Sequence, residues 1–253
     1  MSTAILARLA LLEARRSGLV WLAAAALVVA VGLGAFLSRV AITESRLLQA
    51  AVVAALLRLS AVFLIAAQVI ASVRREIDDR RLELALALPL ARSTQYLGRL
   101  AGFVLCGVVL ACFFAAPLLT WASPATVAAW AVSLAFELML VAAAALFFAM
   151  SLSSPVSALF ACAGLYLLGR AMGAMQAIAG GPLVEDSLVE RFARHAVDAV
   201  ALLLPALDRV TRTEWLLYGV PDWRTYAGAL GTLAIYAALL AAAGVFDFQR
   251  RAS

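Results

Sequence analysis

The chain has 253 residues, 66% of them hydrophobic and 14% charged, with a mean hydropathy of +1.01 and a formal net charge of +5. Soluble domains run at about 45–50% apolar and about 25% charged, so the composition excludes an ordinary soluble domain and specifies an integral membrane protein. Every basic side chain except His195 is arginine. The absence of lysine removes a phosphate-loop nucleotide site and lysine Schiff-base chemistry, and the arginines are spread among loops rather than forming a nucleic-acid-binding stripe.

His195 is the one histidine, and Cys106, Cys112 and Cys162 are the three cysteines. All three cysteines fall inside apolar runs, and no C-x-x-C or H-x-x-x-H spacing occurs. They are expected to be small buried hydrophobes rather than redox or metal groups. An intramembrane enzyme would need a nucleophile–base pair or a ligand set, and one histidine leaves little to build on. No catalytic, metal-binding or cofactor-binding residue is expected in this chain.

In chain order, residues 3–16 set Ile5, Leu9 and Leu12 along one side and most of Arg8, Glu13, Arg15 and Arg16 elsewhere, as in a short helix in the headgroup region. Ser17-Gly18 breaks it. The apolar run 19–37 is longer than the about 7–15 residues of a signal-peptide core, so it reads as a first span. Five more runs follow at 50–73, 98–119, 126–150, 155–178 and 225–246, each near the roughly 20 residues needed to cross a bilayer. The expected fold is all-α and polytopic, one domain over 1–253 with six transmembrane helices, an N-terminal interfacial helix and a helical outer loop before the sixth span.

Six spans put both termini on one side. With the termini inside, Arg8, Arg15, Arg16, Arg74, Arg75, Arg80, Arg81, Arg92, Arg99, Arg250 and Arg251 are cytoplasmic. The outer arginines are concentrated in the long loop 179–224, where charge counts for less. Positive residues in short loops favour the cytoplasm, hence both ends are expected there. In the outer loop, Gly180-Gly181-Pro182 ends span five, while Ser187-x-x-Glu190 and Thr211-x-x-Glu214 read as capping boxes opening two short helices. Gly219 suits a left-handed helix end, and Trp215, Tyr218 and Trp223 suit the membrane interface. This loop is either an amphipathic cover or a docking place for an outer partner.

Ten charged residues are concentrated between Arg74 and Arg99, RREIDDRRLELALALPLARSTQYLGR. Charges this dense cannot lie in hydrocarbon and must face water or a partner. Pro89 lacks an N–H and disfavours helix at the residue before it, so it separates two helical pieces. Residues 76–88 are good helix formers. Leu82, Leu84, Leu86 and Leu88 also alternate as in a strand, but no β-branched residue joins them and helix is favoured. A loop whose arginines bind anionic lipid is the plainer alternative.

Glu76, the leucine turn, Pro89-x-x-Arg92, Tyr96 and Gly98 together resemble the segment between spans two and three of type-2 ABC transporter permeases. Arg80-Arg81 stands where that family usually has a Gly-Thr-like pair, and Arg99 where it has lysine; both changes keep the segment basic. Within the family the chain looks most like the short permeases associated with multicopper-enzyme and nitrous-oxide-reductase maturation, to which LLLPALDRVTRTEWLLYG adds a weaker likeness. The resemblance implies a permease in a bacterial cytoplasmic membrane, present as two copies with separate ATPase subunits that carry the ATP and Mg. It also implies a coupling segment at 74–97 in which Glu76, Arg80, Arg81, Leu84, Leu88, Pro89 and Arg92 meet the ATPase. A related alternative is a mechanotransmitter that moves no substrate and acts on an outer partner through 179–224.

Three ionisable residues fall inside spans: Arg58 in span two, Glu137 in span four and Arg170 in span five. Given the expected topology, all three belong to the outer half of the bilayer. Buried charges need partners, and Glu137 could serve one or both arginines. A structural clamp between helices is favoured over a polar patch on a substrate path.

Overall fold

The computed structural model describes residues 18–40, 45–79, 92–179, 192, 195, 197, 199–201, 204, 205, 207–210 and 212–250. Among them the protein is helical without strands, and six helices are long and apolar enough to cross a membrane. They are α1 (Leu19–Val40), α2 (Ser45–Asp78), α3 (Arg92–Ala115), α4 (Pro124–Ser151), α5 (Pro155–Ala179) and α8 (Trp223–Arg250). Two one-turn helices, α6 (Leu207–Val210) and α7 (Glu214–Leu217), precede α8. The proposed interfacial helix at 3–16 and the capping box at Ser187–Glu190 lie outside the described residues.

Local chemistry sets the boundaries. Gly18 adopts φ +82° immediately before α1, a conformation that favours a residue without Cβ. Pro117 sits in the first turn of the 3-10 segment Ala116–Thr120 that closes α3. Its missing N–H and its ring against the preceding turn end regular α-helix there. Ser123 then caps α4, its Oγ accepting from the Thr126 N–H at 3.3 Å, with Pro124 as the first helical residue. The pair Ser154-Pro155 opens α5 similarly, the Val156 N–H donating to Ser154 Oγ at 3.3 Å. Proline at a first helical position loses nothing, because that N–H would be unpaired anyway.

The helices run past the apolar runs that mark them in sequence. At 34 residues, α2 is about 51 Å long, well beyond the roughly 30 Å of a hydrocarbon core. Arg74, Arg75, Glu76 and Asp78 therefore stand on the last turns of α2, not on a loop after it, and 92–97 already belong to α3. Helix outcompetes loop here because Arg74, Arg75 and Glu76 are good helix formers that carry the α2 hydrogen-bond ladder out of the apolar zone.

The core sits around α4. It packs against α2, α3, α5 and α8, and its consecutive residues Leu140–Leu146 are buried on every side. A helix apolar around its whole circumference belongs inside a bundle, and Ala142–Ala145 let neighbouring backbones approach closely. By contrast α1 packs chiefly on α2 and leaves Trp21, Val28 and Phe36 exposed. Of the three cysteines, Cys106 and Cys162 are buried as expected, but Cys112 is exposed: six residues on from Cys106, it points off the packed side of α3.

Polar contacts gather at the two ends of the bundle. At one end Glu76 pairs with Arg99 at 2.8 Å, Ser151 Oγ donates to Asp247 Oδ2 at 2.8 Å, and the Arg74 guanidinium donates to the carbonyl of Leu152, the C-cap of α4. At the other end Trp121 Nε1 donates to Gln49 Oε1 at 3.0 Å. Trp215 is not an interface anchor: it is buried edge-on against Tyr226, ring centroids 5.4 Å apart, while Tyr218 and Trp223 are exposed. The helix at Glu214 starts from Thr213 rather than Thr211 and without a side-chain cap. Gly219 follows it with φ +105°.

Two outcomes follow from this packing. Reporter fusions after residue 85 and at the C-terminus are expected on one side of the membrane and a fusion near residue 200 on the other; opposite sides for the first two would break the alternation of six helices. A methyl on Gly244 would overlap the hydroxyl and ring of buried Tyr96. Gly244→Ala is therefore expected to destabilise the bundle by about 1–3 kcal/mol in detergent unfolding, with partial recovery on adding Tyr96→Phe.

Candidate functional site

Arg58, Glu137 and Arg170 are brought together from α2, α4 and α5. Arg58 Nη1 donates to Glu137 Oε2 at 2.6 Å, both side chains at 2% exposure or less. Arg170 Nη1 stands 3.7 Å from Glu137 Oε1 and is about one third exposed. One carboxylate thus serves two guanidinium groups unequally, the first by a buried charge-assisted hydrogen bond and the second by a longer ion pair.

Three neutral side chains complete the cluster. Tyr166 donates its hydroxyl to Glu137 Oε1 at 3.0 Å. Arg58 Nη2 donates to Ser133 Oγ at 3.3 Å, and that hydroxyl donates onward to the Trp130 carbonyl at 2.8 Å. The Arg58 guanidinium also lies over the Trp130 ring, 5.4 Å from its centroid, within reach of a cation–π attraction. Two cations around one anion leave the cluster donor-rich.

Sequence inspection missed Ser133, Tyr166 and Trp130, although a signal was present. Ser133 precedes Glu137 by four residues and Tyr166 precedes Arg170 by four, spacings that set each pair on one helix face. Along the helices, Glu137 lies thirteen residues after Pro124 and fourteen before Ser151, at the middle of α4, while Arg58 is nearer the Ser45 end of α2 and Arg170 nearer the Ala179 end of α5.

The segment before α8 covers this cluster at the end of the bundle shared with Gln49 and Trp121. It approaches α5 where α5 has glycines. A Cβ on Gly169 would lie 2.8 Å from the Pro205 carbonyl oxygen, and one on Gly173 would overlap the Asp208 carboxylate. Tyr236 of α8 donates to the Leu204 carbonyl at 3.3 Å, and Tyr226 donates to the Ala129 carbonyl at 2.7 Å. Leu204, Pro205, Leu207 and Asp208 are thereby held against α5 and α8, and Trp215 packs on Tyr226. Phe192 and His195 are both exposed.

At the far end of the bundle, Glu76 closes on Arg99 within the chain. Arg80, Arg81, Leu84, Leu88 and Pro89 lie outside the described residues, as does the side chain of Arg92, whose backbone opens α3. Among the described residues no group of histidine, cysteine and acidic side chains could hold a metal ion. No protein-family model matches the chain, and no curated protein matches it either.

Removing Glu137 would orphan a buried arginine, a change that costs roughly 3–5 kcal/mol. Glu137→Ala is accordingly expected to lower stability in detergent by that order. Replacing both partners by apolar residues, Arg58→Met with Glu137→Leu, should recover most of it. Equal unfolding midpoints for Glu137→Ala and the unaltered chain would contradict a structural pairing.

Proposed function

We propose that this chain is the permease subunit of an ATP-binding cassette transporter, working as two copies with separate ATPase subunits in a bacterial inner membrane, both termini cytoplasmic. The observation that carries the reading is the Glu76–Arg99 ion pair at 2.8 Å. It ties the end of α2 to α3 eight residues into that helix, so that the two helix ends flanking the basic segment are clamped together. A push or pull on residues 80–91 would then move α2 and α3 as a unit. Through the Arg74 bond to the Leu152 carbonyl, the displacement would reach the end of the central helix α4.

The chain itself needs no nucleotide or catalytic site for this. Arg80, Arg81 and Arg92, with Leu84, Leu88 and Pro89, supply charge and an apolar edge for a groove on an ATPase, where charge-assisted hydrogen bonds exceed neutral ones. A second reading, a mechanotransmitter acting on an outer partner, draws on the contact of Pro205, Leu207 and Asp208 with Gly169 and Gly173. That contact would hand any tilt of α5 directly to the outer segment.

The internal bond shapes the test. Glu76→Arg alone breaks the clamp, whereas Glu76→Arg with Arg99→Glu keeps it with the charges exchanged. Arg92→Glu is expected to release the ATPase in pull-down, or to uncouple hydrolysis from transport, while insertion and folding stay normal. The exchanged pair should regain assembly lost in Glu76→Arg if Glu76 acts as a clamp, and stay deficient if Glu76 itself touches the ATPase. Unchanged assembly and coupling in Arg92→Glu and Glu76→Arg would mark the segment as a lipid-facing loop and remove the main support for a transporter.

A further inference from the structure

Two cavities lie end to end along one face of α5. The first, about 420 Å³, opens between α2 and α5 and is apolar, with Leu59, Phe63, Ala66, Cys162, Ala163 and Tyr166 among its walls. The second, about 440 Å³, is lined by Arg170, Asp208, Arg212, Thr213 and Glu214. Ala163, Tyr166, Arg170 and Gly173 follow one another at spacings of three and four, which keeps them on one side of the helix. From Ala163 to Gly173 the helix rises about 15 Å.

The antiparallel neighbour gives the same polarity. On α2 the cavity walls run from Leu59 to Ala66, and Arg58 comes just before them. On α5 the walls run from Leu159 to Leu167, and Arg170 comes just after. Both arginines therefore mark the same end of the apolar cavity, the end that meets the charged one. Leu59, Phe63 and Leu167 are exposed at its mouth, so the cavity opens sideways where a bilayer would surround the helices.

The charged cavity has both signs. Asp208 rests on Gly173, and its Oδ1 is buried and accepts no hydrogen bond among the described residues. Arg212 is exposed and stands 3.7 Å from Glu214, beyond hydrogen-bond distance. A buried carboxylate oxygen without a donor is costly and suits a ligand that brings an N–H. Guanidinium groups beside it suit phosphate.

We propose that this face of α5 holds one phospholipid with a phosphoethanolamine headgroup. Its acyl chain fills the apolar cavity, its phosphate meets the arginines, and its ammonium donates to Asp208. A choline headgroup has no N–H to give Asp208, and a glycerol headgroup offers only a neutral O–H while its net negative charge meets Asp208 and Glu214 with no ammonium to offset it. The site does not depend on whether the chain acts with an ATPase.

The test is native mass spectrometry of the full chain in detergent with an equimolar mixture of phosphatidylethanolamine, phosphatidylcholine and phosphatidylglycerol of identical acyl chains. The ethanolamine lipid should be retained roughly tenfold over the other two, the factor expected for one charge-assisted hydrogen bond. Asp208→Asn should abolish that preference while lipid is still retained. Ala163→Trp should remove the retained lipid of all three kinds, and Leu167→Trp serves if the first variant fails to fold. Equal retention of the three lipids by the unaltered chain, preference for the glycerol lipid, or undiminished ethanolamine-lipid retention in the folded tryptophan variant would each overturn the proposal.

Discussion

In a hydrocarbon surround, a charged side chain must find an opposite charge inside the protein or expel its helix from the membrane. Arg58 and Glu137 meet at 2.6 Å with almost no exposure, and that pairing fixes how α2 sits against α4. Sliding either helix by one residue would rotate its charge by about 100° and move it about 1.5 Å, separating the pair. Arg170 and Tyr166 extend the same constraint to α5 through the second carboxylate oxygen. Such a pair is weak as a net source of stability, but it is strong in selecting one register among several that apolar packing alone would accept.

The rest of the bundle is arranged so that this register can be kept. Because Ala142–Ala145 follow Glu137 along α4, α2, α3 and α8 pack close to the central helix near the cluster. Glycines play the same part elsewhere, at Gly34 against Val53, Gly107 against Leu138 and Gly244 against Tyr96. In a membrane, where lipid is as apolar as a leucine, close van der Waals contact is the main reward for association. Larger side chains at these positions would forfeit it.

The two ends of the molecule then differ in chemistry. One is a cross-tied set of helix ends, with Glu76–Arg99, Ser151–Asp247 and Arg74 on the Leu152 carbonyl joining α2, α3, α4 and α8. The other is covered by a short helical segment seated on Gly169 and Gly173. The unbroken helices α4 and α5 run between the two ends. The cluster at Glu137 stands between them, midway along α4.

Much of this was legible in the sequence. Apolar length alone determined the number of crossing helices, since no other backbone arrangement of such runs satisfies its N–H and C=O groups in lipid. Gly18 and Gly219 marked two boundaries, and the isolated charges Arg58, Glu137 and Arg170 called for partners because hydrocarbon tolerates them only when paired. What composition and spacing could not carry is contact between separate helices. Tertiary structure decided that Ser133, Tyr166 and Trp130 join the cluster, that Glu76 turns inward to Arg99, that Trp215 packs on Tyr226 and that Asp208 settles on Gly173. Each of these depends on the rotation and offset of one helix relative to another, which short-range propensity does not encode.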